Sequence, residues 1–209
     1  MDGRVSIRAH YERFPATLKG AFVLRGDDAD PHQVRIEAAR VSELSGETGQ
    51  PMGVETVTLD VAPHLDLFVP FEVPLLDLAP GWYRLEIDVT VDGDAGVVHP
   101  GDRFVVAWPR GSMRRGSASV GRVIEAGATS VTIEQVDCVP DSVRVTYRAP
   151  ASVALALSAD EIALPQVDEA FDDATGRGTV TTYPASKERS KLSISARGSH
   201  APVVVDLPP

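Results

Sequence analysis

The sequence holds very few of the residues on which several classes of protein depend. Cys138 is the only cysteine among the 209 residues, so no disulfide can form within the chain. No apolar run approaches the roughly 18 residues of a membrane-spanning helix. The first eight residues lack the basic and then apolar layout of a signal peptide. We therefore expect a cytoplasmic protein, or an exported one from which a leader was removed.

Basic residues are also in short supply, and their distribution is uneven. The formal net charge is −10, and residues 1–108 hold 9 Lys/Arg against 18 Asp/Glu. Residues 109–122 carry four arginines and no acid, whereas residues 123–209 are acidic again. Two acidic halves repel polyanions, which excludes nucleic acid as an expected partner.

The clearest structural pattern begins after the turn dipeptide at Pro80 and Gly81. From Tyr83 onward, apolar and polar side chains alternate for about ten residues, until Asp92 and Gly93. A period of two predicts a strand with one buried face, and Asp-Gly is typical of a tight hairpin. Similar short segments recur along the chain without a convincing helix. This pattern predicts an all-β fold made of two antiparallel immunoglobulin-like β-sandwich domains in tandem.

The domain boundary is predicted where composition changes. Residues 109–119 are basic, rich in Gly and Ser, and without periodicity. We expect a sandwich at 1–108, a linker at 109–119 and a second sandwich at 120–209. The same segment could instead be a long loop within one larger sandwich.

Three other segments allow specific structural predictions. Residues 65–75 alternate but contain Pro70 and Pro74, so this strand should lie at a sheet edge or break in two. Residues 203–207 form a candidate edge strand that is open to pairing, or that completes its own sheet. Residues 166–174 are acidic and could be helix or loop.

Residue patterns for chemistry are scarce. The five histidines have no metal-binding spacing and are expected to be scattered over the surface. Cys138 has no neighbouring base and is expected to be a half-buried structural thiol. No motif for a nucleophile, a nucleotide or a dinucleotide is found. We predict no catalytic residue, no cofactor and no metal site, and therefore no enzyme.

Acidic loops are the one feature that leaves a metal open. They lie at residues 26–30, 92–94 and 168–173. Carboxylates on short loops could supply the oxygens that calcium requires. Turn chemistry alone explains Asp and Gly equally well, because Asp accepts hydrogen bonds from its own backbone.

Residues 78–85, Leu-Ala-Pro-Gly-Trp-Tyr-Arg-Leu, resemble the E–F corner of fibronectin-III and immunoglobulin-like sandwiches. In those folds a tyrosine after the corner bonds through its hydroxyl to the upstream backbone. The resemblance implies that Tyr83 has this role. The interval from Leu78 to Tyr83 is one residue shorter than in the fibronectin form.

We predict a non-catalytic module for protein–protein interaction or assembly, acting through sandwich edges or loops. The candidate partner-binding residues are Arg110, Arg114 and Arg115 of the basic segment, with Trp82 as an exposed ring. A carbohydrate-binding accessory module, with Trp82 stacking on a sugar, is the alternative. A hydrolase is the third possibility, because any two carboxylates could converge in the fold.

Overall fold

The structure is a computed structural model that describes residues 4–208 apart from 15–16, 47–48 and 52–55. The described residues form eighteen strands and no helix. All pairings between these strands are antiparallel. The predicted all-β fold class is confirmed. Within the described ranges there is no helix long and apolar enough to cross a membrane.

The chain divides into two compact units, residues 1–106 and 107–209. The first unit contains nine strands: β1 Val5–Phe14, β2 Thr17–Gly26, β3 His32–Glu43, β4 Gly49–Pro51, β5 Val57–Val61, β6 Asp66–Pro74, β7 Gly81–Val91, β8 Asp94–Val98 and β9 Phe104–Val106. One sheet has the order β1-β2-β6. In the other, β3 pairs with β7, β4 and β5 pair with β3, and β8 and β9 pair with β7.

Strand β7 is the central strand of the six-stranded sheet and shows the predicted alternation. Its residues are buried and half-buried in strict turn, with the buried ones facing strands β2 and β6 of the other sheet within one core. Asp92 and Gly93 then adopt φ values of 50° and 92°. Two positive φ values at the centre of a two-residue loop are the mark of a type I′ hairpin turn. The predicted strand and its hairpin are both confirmed.

The predicted tyrosine corner is present at the start of β7. The Tyr83 hydroxyl donates a hydrogen bond to the carbonyl oxygen of Ala79 at 2.9 Å, and Tyr83 is only 4% exposed. Its ring stacks on Phe104 with 5.8 Å between centroids. The hydroxyl therefore ties the end of the β6–β7 connection to the strand that follows it.

Strand β6 is an unbroken edge strand despite its two prolines. It pairs with β2 over its whole length, with Pro70 opposite Ala21 and Pro74 opposite Thr17. Proline is tolerated here because β2 is the one strand that pairs with β6 in the described part of the chain. Of the two alternatives predicted for residues 65–75, the edge position is confirmed.

The second unit also contains nine strands: β10 Gly116–Ala126, β11 Thr129–Val139, β12 Ser142–Arg148, β13 Leu155–Ala159, β14 Ile162–Ala163, β15 Gln166–Asp172, β16 Arg177–Thr182, β17 Lys191–Ala196 and β18 Val203–Asp206. The sheets have the orders β10-β11-β12-β16-β15 and β14-β13-β17-β18. Buried side chains from both sheets form one core.

A glycine and a tyrosine fit together in this core. Tyr147 is 2% exposed, and its ring covers Gly178 so closely that a Cβ atom at Gly178 would overlap it. The two residues are direct cross-strand neighbours on β12 and β16. Phe171 stacks on the same ring, 6.1 Å between centroids. Glycine is therefore required at position 178 by packing.

Residues 166–172 are neither helix nor loop, which corrects the two alternatives drawn from the sequence. They form strand β15, which pairs with β16 as a hairpin. A bulge between Gln166 and Asp168 shifts the register by one residue, so the alternation of apolar and polar side chains that marks a strand is broken in the sequence.

The segment predicted as a linker lies within the second unit. The Arg114 amide donates to Ala185 at 2.9 Å, and residues from Gly116 onward belong to β10. Trp108 also belongs to this unit, where its ring meets Tyr183 edge-on at 5.6 Å. The predicted limits of 108, 109–119 and 120 therefore differ from the observed division after Val106.

Candidate interaction surface

Arg114, one of the four predicted partner-binding residues, is occupied within its own unit. Its guanidinium donates to the carbonyl oxygens of Pro208 at 2.7 Å and Lys187 at 3.0 Å, and also to that of Arg189. A guanidinium has five N–H donors in a planar fork, so one side chain can satisfy several carbonyls. The Arg114 guanidinium is therefore bound to backbone carbonyls of its own unit, and its role in partner binding stays a prediction.

The other three predicted residues do not form one site within either unit. Arg110 and Arg115 are exposed, at a turn and just before β10. Trp82 is half-buried and lies in the first unit on β7. The exposure predicted for its ring is therefore only partial, and the carbohydrate-binding alternative stays a prediction.

Charges on the outer face around Trp82 are largely neutralised. On this side of the six-stranded sheet, Arg40 pairs with Glu86 at 2.8 Å and with Asp88 at 2.7 Å. Arg84 pairs with the same Glu86 at 3.0 Å. The hydrogen bonds that Arg40 donates to the carboxylates of Asp88 and Glu86 raise its pKa above its usual range. This face is therefore electrostatically satisfied.

The opposite sheet of the first unit presents a different surface, which we call the β1–β2–β6 face. Directly opposed residues of adjacent strands share one side of a sheet. Phe22 and Leu24 of β2 are buried in the core. Because side chains alternate along a strand, Ala21, Val23 and Arg25 point outward. The outer side carries three rows across the strands: Ser6–Arg25–Asp66, Arg8–Val23–Phe68 and His10–Ala21–Pro70.

A cleft of about 400 Å³ opens on the β1–β2–β6 face. It combines two arginines and two histidines with a half-buried valine on its floor and two carboxylates. The lining residues are Ser6, Arg8, His10, Val23, Arg25, Asp27, His64 and Asp66.

The acids in this cleft have partners, whereas one of its cations has none in the described part of the chain. Asp66 lies 3.8 Å from the Arg25 guanidinium, and Asp27 accepts a hydrogen bond from the Ser6 hydroxyl at 3.3 Å. Arg8 is exposed and makes no ion pair or side-chain hydrogen bond with any residue that the structure describes. The two arginines and two aspartates of the cleft cancel in formal charge, but Arg8 has no carboxylate partner of its own among the described residues.

Large apolar side chains border the same edge. Phe68 is 62% exposed beside Val23 in the Arg8 row, and Leu65 is 65% exposed just before β6. Single exposed apolar residues are ordinary on protein surfaces, but an aromatic ring beside an arginine is typical of interfaces. The sequence contained part of this signal, because Ser6, Arg8 and His10 alternate on the polar side of β1.

His32 contradicts the expectation that all histidines lie on the surface. It is 6% exposed and bridges two of the acidic loops, with Nδ1 2.6 Å from Asp92 and Nε2 2.7 Å from Asp28. A carboxylate can only accept, so both ring nitrogens carry a proton and the ring is an imidazolium. Hydrogen bonds to Asp92 and Asp28 raise the pKa of His32. The hydrogen bond from His32 in turn lowers the pKa of each carboxyl group.

Two of the acidic loops considered for calcium, residues 26–30 and 92–94, therefore contact cationic side chains of the protein itself. His32 is the first of these cations, and Arg4, 2.9 Å from Asp94, is the second. Within the described residues, no group of three or more His, Cys, Asp or Glu side chains is arranged to hold a metal ion. The third loop, around Asp172, folds onto its own turn, accepting from the Thr175 hydroxyl at 2.8 Å.

Cys138 lies in the core of the second unit and is 3% exposed, which is more deeply buried than predicted. Burial raises the pKa of its thiol to about 11. A thiol in this setting packs as a small apolar side chain.

Two edge strands of the second unit, β15 and β18, carry features that oppose pairing with another strand. The Val204 carbonyl on edge strand β18 accepts from the Arg122 guanidinium at 2.7 Å. On edge strand β15, the exposed Glu169 lies opposite Val180, and a charged side chain on an edge strand discourages pairing with another strand. Of the alternatives for residues 203–207, completion of their own sheet agrees with this arrangement.

Comparison with known proteins adds only distant likenesses. The sequence matches no protein-family model and no curated protein. Among solved structures it is similar to a conserved domain protein from Bacillus anthracis, with 12% identity, a TM-score of 0.36, and coverage of 93% of this chain and 73% of the other. It is also similar to a marsupial T cell receptor, with 12% identity and a TM-score of 0.26, covering 97% of this chain and 62% of the receptor chain. Neither likeness carries an argument about function.

Proposed function

We propose that this protein is a non-catalytic interaction module that binds another protein through the β1–β2–β6 face. The observation that supports this proposal is Arg8, an exposed cation without a partner among the described residues, which lines a cleft of about 400 Å³. Six other basic side chains of this unit each have a carboxylate within 4 Å: Arg4, Lys19, Arg25, Arg35, Arg40 and Arg84.

The β1–β2–β6 face is a better candidate for the binding surface than the sheet edges. Pairing with a partner strand requires free backbone donors and acceptors. The β18 edge uses one of its carbonyls for Arg122, the β15 edge carries Glu169, and the β6 edge contains two prolines. Each of these features opposes edge-to-edge pairing.

Affinity capture from the native cell with matched baits tests the proposal. Wild-type protein and the Arg197→Glu variant, whose change lies on an exposed residue of the second unit, are expected to retain the same partner. Arg8→Glu is expected to lose that partner, because it reverses the charge at the cleft. Retention by all three baits would assign binding to another surface, and a blank with the wild-type bait would refute the proposal.

A further inference from the structure

We propose that the β1–β2–β6 face binds an extended acidic segment of the partner, with carboxylates at alternate positions. This inference depends on the proposed function, because it names the chemistry of the partner for the same surface. The ligand proposed for this face is a peptide segment and not a continuous polyanion.

The first argument is charge. Arg8 and Arg25 are diagonal neighbours on β1 and β2, with Val23 between them, and His10 follows Arg8 on the same side of β1. In a chain of net charge −10, acids that could neutralise this cluster are abundant, yet Arg8 has no acidic partner among the described residues. A carboxylate supplied by another molecule would complete it.

The second argument is spacing. Diagonal neighbours on adjacent strands are about 7–8 Å apart. Alternate side chains of an extended segment are about 6.6 Å apart. Carboxylates at positions i and i+2 of one extended segment therefore match Arg8 and Arg25. The pairing of Arg25 with Asp66 is long, at 3.8 Å, so this guanidinium can add a second carboxylate.

Apolar side chains surround the cations on this face. Val23 and Phe68 lie in one row with Arg8, and Ala21 and Pro70 lie in the next. Apolar side chains of a peptide can pack there between its carboxylates. Asp27 and Asp66 also line the cleft, so a ligand with a negative charge at every unit, such as nucleic acid, would place some of its charges beside these carboxylates.

Fluorescence anisotropy with a labelled peptide tests the inference. The probe alternates Glu and Val over about nine residues, long enough to cross the face, and its control has Lys in place of every Glu. We expect binding of the Glu peptide alone. Raising the ionic strength from about 0.01 M to about 0.15 M should weaken it, because exposed charges become screened.

Variants locate the site. Arg8→Gln should weaken binding about fivefold, the loss expected from one exposed ion pair. Arg197→Gln, which removes the same charge from the second unit, should have no effect. An unchanged melting temperature of Arg8→Gln is expected, because the side chain is exposed. Loss of binding with Arg115→Gln, but not with Arg8→Gln, would move the site to the basic segment and overturn the inference.

Two further outcomes would overturn it. A heparin oligosaccharide that binds with the same dependence on Arg8, where the peptide does not, would assign the face to a sulfated sugar. Self-association of the wild type in sedimentation, abolished in Arg8→Gln, would assign it to a second copy of this chain. If the Glu peptide does not bind but capture of the partner still depends on Arg8, the acidic segment is refuted and the proposed function stands.

Discussion

The two units use tyrosine in different ways to build similar sandwiches. In the first, the Tyr83 hydroxyl bonds to Ala79 at 2.9 Å and secures a connection between sheets. In the second, the Tyr147 ring covers Gly178, and its hydroxyl accepts only a long bond of 3.4 Å from the Val153 amide. One tyrosine therefore acts through its polar tip, and the other through the shape of its ring.

The cores of the two units also differ in how many aromatic side chains they bury. Four aromatic residues, Phe22, Phe71, Tyr83 and Phe104, are buried in the described part of the first core, whereas Tyr147 is the one buried aromatic in that of the second. Val, Ile, Leu and Ala make up most of the rest. A core of small side chains depends more strongly on the fit of its few large ones, because a misplaced ring leaves a cavity that small neighbours cannot fill.

The largest effect is expected from Gly178→Ala. A Cβ atom at this position overlaps the Tyr147 ring, so the ring must move and the second unit should lose about 2–3 kcal/mol of stability. Each unit contains one of the two tryptophans, so a Trp82→Phe background leaves Trp108 as the reporter of the second unit in urea titrations.

Gly46→Ala is the matched control for this substitution. It lies on an exposed turn where a Cβ atom makes only ordinary contacts, and it should change stability by less than about 0.5 kcal/mol. Equal stability of both alanine variants would mean that the ring is not held against Gly178.

A smaller effect is expected from removal of the tyrosine hydroxyls. Tyr83→Phe should destabilise the first unit by about 1 kcal/mol, the net value of one hydrogen bond. Trp108→Phe provides the background in which Trp82 reports on that unit. Tyr147→Phe should cost the second unit less than about 0.5 kcal/mol, because its hydrogen bond is long. Equal losses would contradict the difference between the two tyrosines.

The smallest effect is expected from pH, and only in the first unit. The pKa of His32 is raised by its hydrogen bonds, so its stabilising contribution is complete below about pH 6.5, the ordinary histidine value. It is lost as pH rises through the raised pKa of the folded state. Thermal unfolding from pH 6 to 8, below the range in which the Cys138 thiol of the unfolded chain ionises, should show this decline in the wild type and none in His32→Asn. A decline of the same size in both would assign it to another group.

The sequence predicted β7, its tight hairpin turn and the Tyr83 hydrogen bond because each depends on neighbours in the chain. Alternation states which side of a strand is buried, and the hydroxyl reaches a carbonyl only four residues away. The sequence did not predict β15, where a bulge shifts the alternation. It also did not predict the contacts of Arg114, because its three acceptors lie 73 to 94 residues along the chain.

The sequence by itself thus determined an all-β chain, the strands with strict alternation, and the absence of an internal disulfide. Only the tertiary structure decided that His32 lies between Asp28 and Asp92, and that Arg8, Arg25 and Phe68 share one face. The reason is that strand pairing brings together side chains that are distant in sequence. A shift of one residue in register would move each of them to the other side of its sheet.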